Sequence, residues 1–141
     1  MERSFVFPIL ESPALWLVAR ILGTFMYWYA GLGFLLNFEG AVAAMQANGF
    51  TSSPAAIAAL TIAVQLIGSV LVIQGRFAWL GAGMLAVFTL TTIPMVHDFW
   101  NMTGAAAVQA KLESEEHLTV IGGLIAISAF SHMMRIRRRG V

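Results

Sequence analysis

Residues 54–96 read PAAIAALTIAVQLIGSVLVIQGRFAWLGAGMLAVFTLTTIPMV and carry a single charge, on Arg76. A helix needs about 20 predominantly apolar residues to cross the hydrocarbon core of a bilayer. The stretch is twice that long, and Gly75-Arg76 divides it near the middle with a tight turn. It therefore predicts a hairpin of two membrane-spanning helices, over 54–73 and 77–96.

Two further apolar segments flank this hairpin in the sequence. Ser12-Pro13 is typical of a helix start, a capping residue followed by proline, and the apolar residues after it predict a span over 13–36. Another apolar run predicts the last span over 118–134. The chain is therefore expected to cross a bilayer four times.

The two longer connections contain helix formers of lower hydropathy. Residues 41–48 are rich in alanine and residues 105–116 are more polar, and each segment predicts a short helix on the membrane surface. A length of 141 residues suits one domain. The sequence thus predicts a single all-α domain over 1–141, an integral membrane four-helix bundle with short interfacial helices on its outer side.

The composition excludes several classes of protein. Hydrophobic residues make up 59% of the chain and charged residues 11%, against about 25% charged residues in soluble domains. The sequence has no cysteine, so disulfides, thiolate metal sites, iron–sulfur clusters and covalent c-type haem are excluded. The net charge of +1 gives no sign of nucleic-acid binding. The expected partners are the lipid bilayer and other membrane subunits or further copies of this chain.

The basic residues predict an orientation. With four spans, both termini and the turn at 75–76 share one side of the membrane, whereas Lys111 lies on the other. Cytoplasmic segments of membrane proteins are enriched in Lys and Arg, which predicts a multi-pass bacterial inner-membrane protein with both termini in the cytoplasm. The basic residues on the predicted cytoplasmic side are Arg3, Arg20, Arg76, Arg135, Arg137, Arg138 and Arg139.

Polar groups inside a membrane are costly, and so they mark candidate functional positions. Arg20 lies about two helical turns inside the first span. Its side chain would either extend to the headgroups and anchor the helix, or hold a quinone, a lipid phosphate or a partner's carboxylate. Gln65 lies near the middle of its span, where an interhelical hydrogen bond is the expected role.

The outward segments carry the remaining candidates. His97, Asp98 and His117 could hold a divalent metal, and the two histidines could ligate a b-type haem, but no His-x-x-x-His spacing supports either. A solvated acidic rim is the third interpretation. Trp100 belongs either to the interfacial aromatic belt or to a site where a quinone ring stacks. No catalytic residue is predicted; His97 and Trp100 join Arg20 as candidate quinone- or lipid-binding residues.

Short motifs follow one another along the chain, and the sharpest is His97-Asp98-Phe99-Trp100-Asn101-Met102-Thr103-Gly104 after the third span. In their order and spacing they resemble the DoxX family of small four-helix membrane proteins, whose members carry a His-x-aromatic-Trp signature there. The resemblance covers most of the chain, from about Trp16 to the tail. The other matching positions are Arg20, Gly31, Phe38-Glu39-Gly40, Gly49, Pro54, Gly75-Arg76-Phe77 and Gly122-Gly123.

Three positions depart from the family's pattern. Phe34 stands where relatives often carry lysine, Gln65 where they often carry glutamate, and His117-Leu118 where they often carry Lys-Asn. A lysine and a glutamate at membrane depth are tolerable mainly as a pair, so their joint absence indicates a lost ion pair. An activity that needs this pair is not expected here.

The resemblance implies a range of functions, since some members are small subunits of quinone-linked oxidoreductases, as in thiosulfate oxidation, and others accompany redox enzymes. The expected function is a non-catalytic accessory subunit of a larger redox-linked membrane complex. It would have no intrinsic cofactor, and a quinone or a bound lipid is the candidate ligand. The alternatives are a small membrane oxidoreductase or quinone-binding protein with an outward-facing site, and a transporter of lipids or small molecules.

Overall fold

The computed structural model describes residues 5–138. These residues form α-helices and one short 3₁₀ turn, without a strand, which confirms the predicted all-α class. Arg3 and Arg139, used above to predict the orientation, lie outside the described residues. The helices are Val6–Leu10 (α1), Pro13–Gly23 (α2), Phe25–Leu36 (α3), Phe38–Ala47 (α4), Pro54–Gln74 (α5), Ala78–Val96 (α6) and Gly104–Arg138 (α7), with the 3₁₀ turn at Phe99–Asn101.

The helices that are individually long enough to cross a membrane follow residue 53. Within residues 5–138, α5, α6 and α7 are each long and apolar enough to cross a membrane. The shorter α2 and α3 pass the same test only as a pair, and their axes differ by 54°. By length and composition, residues 5–138 therefore contain three helices that can span a membrane, or four spans if the bent pair crosses as one.

The bend between α2 and α3 lies at Thr24. The hydroxyl of this buried residue donates to the backbone carbonyls of Arg20, at 2.8 Å, and Ile21, at 3.3 Å. Hydroxyl side chains bonded back to the preceding turn favour helix bending. At Gly23 an added Cβ would collide with Ile127 of α7. The predicted span over 13–36 thus consists of two helices rather than one.

The helices α5 and α6 form the predicted hairpin and begin and end within one residue of the predicted spans. They approach closely because glycines face each other. An added Cβ on Gly81 would meet the backbone carbonyl of Gly68 at 2.5 Å and the backbone nitrogen of Val72 at 3.0 Å. Small residues allow this kind of backbone approach between membrane helices. Gly75 ends α5 with φ +82°, a conformation that glycine adopts at little cost.

The short helix α4 covers the segment predicted as an interfacial helix over 41–48. The side chain of Asn37 caps it by accepting a hydrogen bond from the Gly40 amide at 2.9 Å. Ala41 and Met45 are buried and pack against α5. This packing attaches α4 to the bundle through a small core of its own.

The last helix differs most from the prediction. The sequence predicts a surface helix over 105–116 and a separate span over 118–134, whereas Gly104–Arg138 is one helix of 35 residues. Neither glycine nor proline interrupts residues 105–121, so the backbone continues through the predicted break. At about 1.5 Å per residue the helix is about 52 Å long, well beyond a hydrocarbon core of about 30 Å. Its polar first half therefore extends past the apolar segment.

The main core joins α3, α5, α6 and α7. Tyr27, Leu85 and Leu124 are almost completely buried at its centre, and the smaller side chains of Val72 and Ala82 surround them. A second, smaller core on the α4 side is formed by Ala41, Met45, Ala58 and Ile62, and Met45 also lines the cavity described next.

Candidate functional site

A cavity of about 740 Å³ lies between α3, α5 and α6, with His117 of α7 at its edge. This volume is in the range of about 300–1,000 Å³ typical of small-molecule sites. Most of the lining is apolar, so an occupant with a large apolar surface fits it. The main apolar lining residues are Met26, Phe34, Met45, Phe50, Ile57, Leu60, Val64, Met84, Val87, Phe88, Met95 and Val96.

A hydrogen-bonded pair, Tyr27 and Thr89, lies on the cavity wall. The two side-chain oxygens are hydrogen-bonded to each other, and the Thr89 hydroxyl donates to the backbone carbonyl of Leu85 at 2.8 Å. Since the threonine proton is used there, the Tyr27 hydroxyl is the donor to Thr89. The tyrosine oxygen therefore keeps its capacity to accept a hydrogen bond from an occupant of the cavity.

Gln65 contributes the most unusual polar group of the cavity. The residue is 7% exposed, and its Oε1 is buried without a hydrogen-bond partner among the described residues. Gly31 on α3 allows α5 to approach closely here, because an added Cβ would come within 2.9 Å of Leu66 Cδ2 and 3.2 Å of the Gln65 Cβ. A buried acceptor without a donor costs about 1–3 kcal/mol. A ligand hydroxyl or a water molecule in the cavity would remove this cost.

A cluster of three residues, His97, Glu113 and His117, closes one end of the bundle and is called the histidine cluster below. The Nδ1 atom of His97 lies 2.8 Å from Oε2 of Glu113. The two imidazole rings meet edge to face with their centroids 4.8 Å apart. A hydroxyl on α7, that of Ser114, is 3.4 Å from the His97 carbonyl and ties the end of α6 to α7.

His117 connects this cluster to the cavity, because it contacts the His97 ring and also lines the cavity wall. Its Nδ1 is buried without a hydrogen-bond partner among the described residues. The Glu113 backbone, one turn earlier on α7, and the Glu113 carboxylate are both close enough to act on the His117 ring. The cavity thus has two unpaired polar atoms, one on Gln65 and one on His117.

Comparison with known proteins identifies the family. The sequence model of the DoxX family matches residues 15–98, more than half of the chain. This chain belongs to the DoxX family. A curated relative, the inner membrane protein YphA of Escherichia coli (strain K12), is 24% identical over 116 residues, which are 82% of each chain. No solved structure gives a significant match.

The DoxX match confirms the resemblance and also limits it. It ends at Asp98, so only the first two residues of the motif at 97–104 fall within it. The helix α7 lies wholly beyond the matched region. Family membership therefore supports the α2–α6 part directly, whereas the histidine cluster depends on a helix outside the match.

The structure separates the residues predicted to bind a quinone or a lipid in this DoxX-family protein. Arg20 lies at the far end of the bundle, where its guanidinium is near the Val72 carbonyl and the Gly75 turn. Trp100 is 55% exposed in the 3₁₀ turn, packs edge to face on Phe99 and does not line the cavity.

The predicted metal-binding candidates are also divided. His97 and His117 meet as described, whereas Asp98 accepts a hydrogen bond from the Asn101 amide at 3.1 Å. The carboxylate beside His97 is instead that of Glu113, which was not among the predicted candidates. Within residues 5–138 no three His, Asp or Glu side chains are placed to hold a metal ion.

Two positions that depart from the DoxX pattern lie on the same cavity wall. Phe34 of α3 and Gln65 of α5 both line the cavity. These are the two positions at which the resemblance implies lysine and glutamate in relatives, so the implied ion pair would lie at this cavity. Tyr27 and Thr89 were not predicted as site residues; the usable signal was a tyrosine inside an apolar span, where its hydroxyl needs a partner.

Proposed function

We propose that this protein binds a membrane-soluble aromatic compound of the quinone class in the cavity between α3, α5 and α6. The observation that carries the proposal is the buried Oε1 of Gln65, which has no partner among the described residues. An apolar cavity with a few convergent polar groups is the usual form of a small-molecule site. An isoprenoid or alkyl chain would match the apolar lining, and a polar ring would match the glutamine.

The mouth of the cavity indicates how such a compound would enter. Leu60, Val87 and Met95 line the cavity and are 61%, 64% and 56% exposed. In a membrane these side chains contact lipid tails rather than water. A compound dissolved in the hydrocarbon could therefore enter sideways, without passing through the polar ends of the bundle.

The polar groups suit both redox forms of a quinone. The carboxamide of Gln65 has an accepting oxygen for a quinol hydroxyl and a donating NH₂ group for a quinone carbonyl. The Tyr27 oxygen, which donates its own proton to Thr89, can accept a hydrogen bond from a quinol hydroxyl. His117, at the edge of the cavity, can accept or donate according to its protonation. The site needs no fixed charge for this ligand, which agrees with Phe34 and Gln65 in place of an ion pair.

Binding tests the proposal directly. The protein in lipid nanodiscs would be titrated calorimetrically with a decyl-substituted benzoquinol and with decylbenzene, with empty nanodiscs as the blank. We expect the quinol to bind at least about tenfold more tightly, because it can satisfy Gln65 and decylbenzene cannot. Equal binding of the two compounds would contradict the proposal.

Two glutamine variants sharpen this test. Gln65→Leu keeps the volume and removes the amide, and it should abolish most of the preference for the quinol. Gln46→Leu is the control, since Gln46 is exposed on α4 and does not line the cavity. The control should bind the quinol like the unchanged protein.

The proposed setting is the bacterial inner membrane, with both termini in the cytoplasm and the histidine cluster at the periplasmic end. The description of the YphA relative as an inner membrane protein and the bias of basic residues support it. Because the sequence has no cysteine, single cysteines placed by Gln109→Cys and Arg137→Cys can report the two sides. An impermeant maleimide applied to spheroplasts should label the first and spare the second; the reverse pattern would invert the orientation.

A second candidate function is that of an accessory subunit in a redox-linked membrane complex. Val108 and Leu112 favour it, since they lie one turn apart on the polar half of α7 and are 61% and 50% exposed. Apolar side chains on that half would face water in the absence of a partner. Mild-detergent extraction should give a complex larger than one chain, and Val108→Gln with Leu112→Gln should reduce its mass. A lone monomer from the unchanged protein would contradict this function.

A further inference from the structure

A second pocket lies at the opposite end of the bundle from the histidine cluster. Its volume is about 370 Å³, and it is formed by α2, the turn between α5 and α6, and the end of α7. Three arginines line it, Arg20, Arg76 and Arg135, and among residues 5–138 no acidic side chain does. We call it the arginine pocket.

The guanidinium of Arg20 is held on the wall of this pocket. Its Nε donates to the Trp16 carbonyl at 3.4 Å and its Nη1 to the Val72 carbonyl at 3.5 Å, both long hydrogen bonds. The guanidinium carbon, Cζ, also lies 5.9 Å from the centre of the Trp16 ring. At Gly75 an added Cβ would collide with Nη1. These contacts direct the side chain toward the end of the bundle, as expected for an arginine that reaches the headgroups.

Ser131 provides an independent observation at the same place. It lines the arginine pocket and is 8% exposed, yet its hydroxyl is buried without a hydrogen-bond partner among the described residues. Elsewhere on α7, Ser114 and Thr119 donate to the carbonyl four residues earlier, at 2.8 and 3.1 Å. This back-bond is the usual arrangement for a hydroxyl in a helix, and Ser131 lacks it. Its donor is therefore available to an occupant of the pocket.

We infer that the arginine pocket binds a phosphate anion, carried by a lipid headgroup or free in solution. Phosphate oxygens are pure acceptors and match guanidinium groups, which recognise phosphate through parallel hydrogen bonds. Ser131 adds a neutral donor from the buried side. This site is separate from the quinone-binding cavity and does not depend on the function proposed for it.

Lipid binding by native mass spectrometry tests the inference on the whole protein in mild detergent. The probes are phosphatidylglycerol, phosphatidylcholine and inorganic phosphate. We expect phosphatidylglycerol to bind about tenfold more tightly than phosphatidylcholine, because the latter carries its own cation. Displacement of phosphatidylglycerol by millimolar phosphate would assign the pocket to the free anion, and failure to displace it would assign the pocket to the lipid. Equal binding of the two lipids, without phosphate binding, would overturn the inference.

Matched variants separate this pocket from a diffuse basic surface. Arg20→Gln and Arg135→Gln should each weaken phosphatidylglycerol binding about tenfold, and Ser131→Ala should weaken it a few-fold. Arg137→Gln is the control, since Arg137 is exposed on the same helix and does not line the pocket. An equal loss in Arg137→Gln and Arg135→Gln would mean that the tail binds lipids non-specifically. The thermal midpoint of each variant shows that it is folded.

Discussion

Each end of this bundle contains a pocket with few polar groups, and the two pockets differ in their charge. The cavity near the histidine cluster is walled by apolar side chains and contains isolated dipoles, chiefly Gln65, whose acceptor lacks a partner among the described residues. The arginine pocket concentrates three cations at the other end. A neutral ring can enter the first without a large desolvation cost, whereas an anion suits the second. In both pockets a buried polar atom has no hydrogen-bond partner among the described residues. The charge of the surrounding side chains then decides which class of ligand fits each pocket.

The largest expected effect comes from a residue that supports both regions. At Gly81 an added Cβ would meet the Gly68 carbonyl and the Val72 amide nitrogen, and neither backbone atom can move far. Gly81→Ala should therefore force α5 and α6 apart and lower the free energy of unfolding by about 1–3 kcal/mol. Gly83→Ala, two residues on, is the control because its added Cβ meets nothing within 4 Å. Unfolding in detergent, followed by circular dichroism, measures the difference; equal stability of the two variants would contradict the packing argument.

A second variant should separate the two regions. Gly83 lines the cavity and has open space at its Cβ, so Gly83→Leu should fill part of the cavity without strain. We expect quinol affinity to fall at least about tenfold, with phosphatidylglycerol binding and stability unchanged. Gly33→Leu is the matched control, since this glycine also has open space but does not line the cavity. Retained quinol affinity in Gly83→Leu would place the ligand elsewhere.

A third variant acts on the arginine pocket alone. Gly75 has φ +82°, and a side chain there would also displace the Arg20 guanidinium. Gly75→Ala should therefore weaken phosphatidylglycerol binding a few-fold and cost about 1 kcal/mol of stability, while quinol affinity is kept. Gly104→Ala serves as the control, since Gly104 has φ +64° and open space at its Cβ. It should show the backbone cost without the loss of lipid binding; similar lipid binding in both variants would exclude a role for Gly75 in positioning Arg20.

Much of the fold could be predicted from the sequence, because length and apolar composition alone decide which segments cross a membrane. The α5–α6 hairpin matches the prediction to within one residue at each end. The bend at Thr24 could not be predicted in this way, since it depends on a hydroxyl bonded back to the Arg20 carbonyl. The continuous α7 was missed because polarity was interpreted as a break, although nothing in the backbone interrupts the helix.

The candidate site was predicted less well, for a physical reason. Gln65 and His117 were singled out because they are polar or depart from the family's pattern. Whether their buried polar atoms find hydrogen-bond partners depends on the side chains of neighbouring helices. Trp100 was predicted as either an aromatic-belt residue or a quinone-stacking residue, and in the 3₁₀ turn it is exposed and does not line the cavity. The contact between His97 and Glu113 joins the end of α6 to α7, and its register depends on the uninterrupted helix.

That contact gives the smallest expected effect and tests whether the histidine cluster acts on the cavity. Glu113 and His97 are 35% and 16% exposed in their side chains, so the pair contributes less than about 1 kcal/mol to stability. Glu113→Gln should nevertheless lower quinol affinity about twofold, because the His97 ring that packs on His117 loses its charged partner. Glu115→Gln, an exposed carboxylate on the same helix that pairs with Lys111 at 3.8 Å, should leave the affinity unchanged. If both variants bind the quinol alike, the cluster only fastens α6 to α7, and Gln65 and Tyr27 alone recognise the ligand in the cavity.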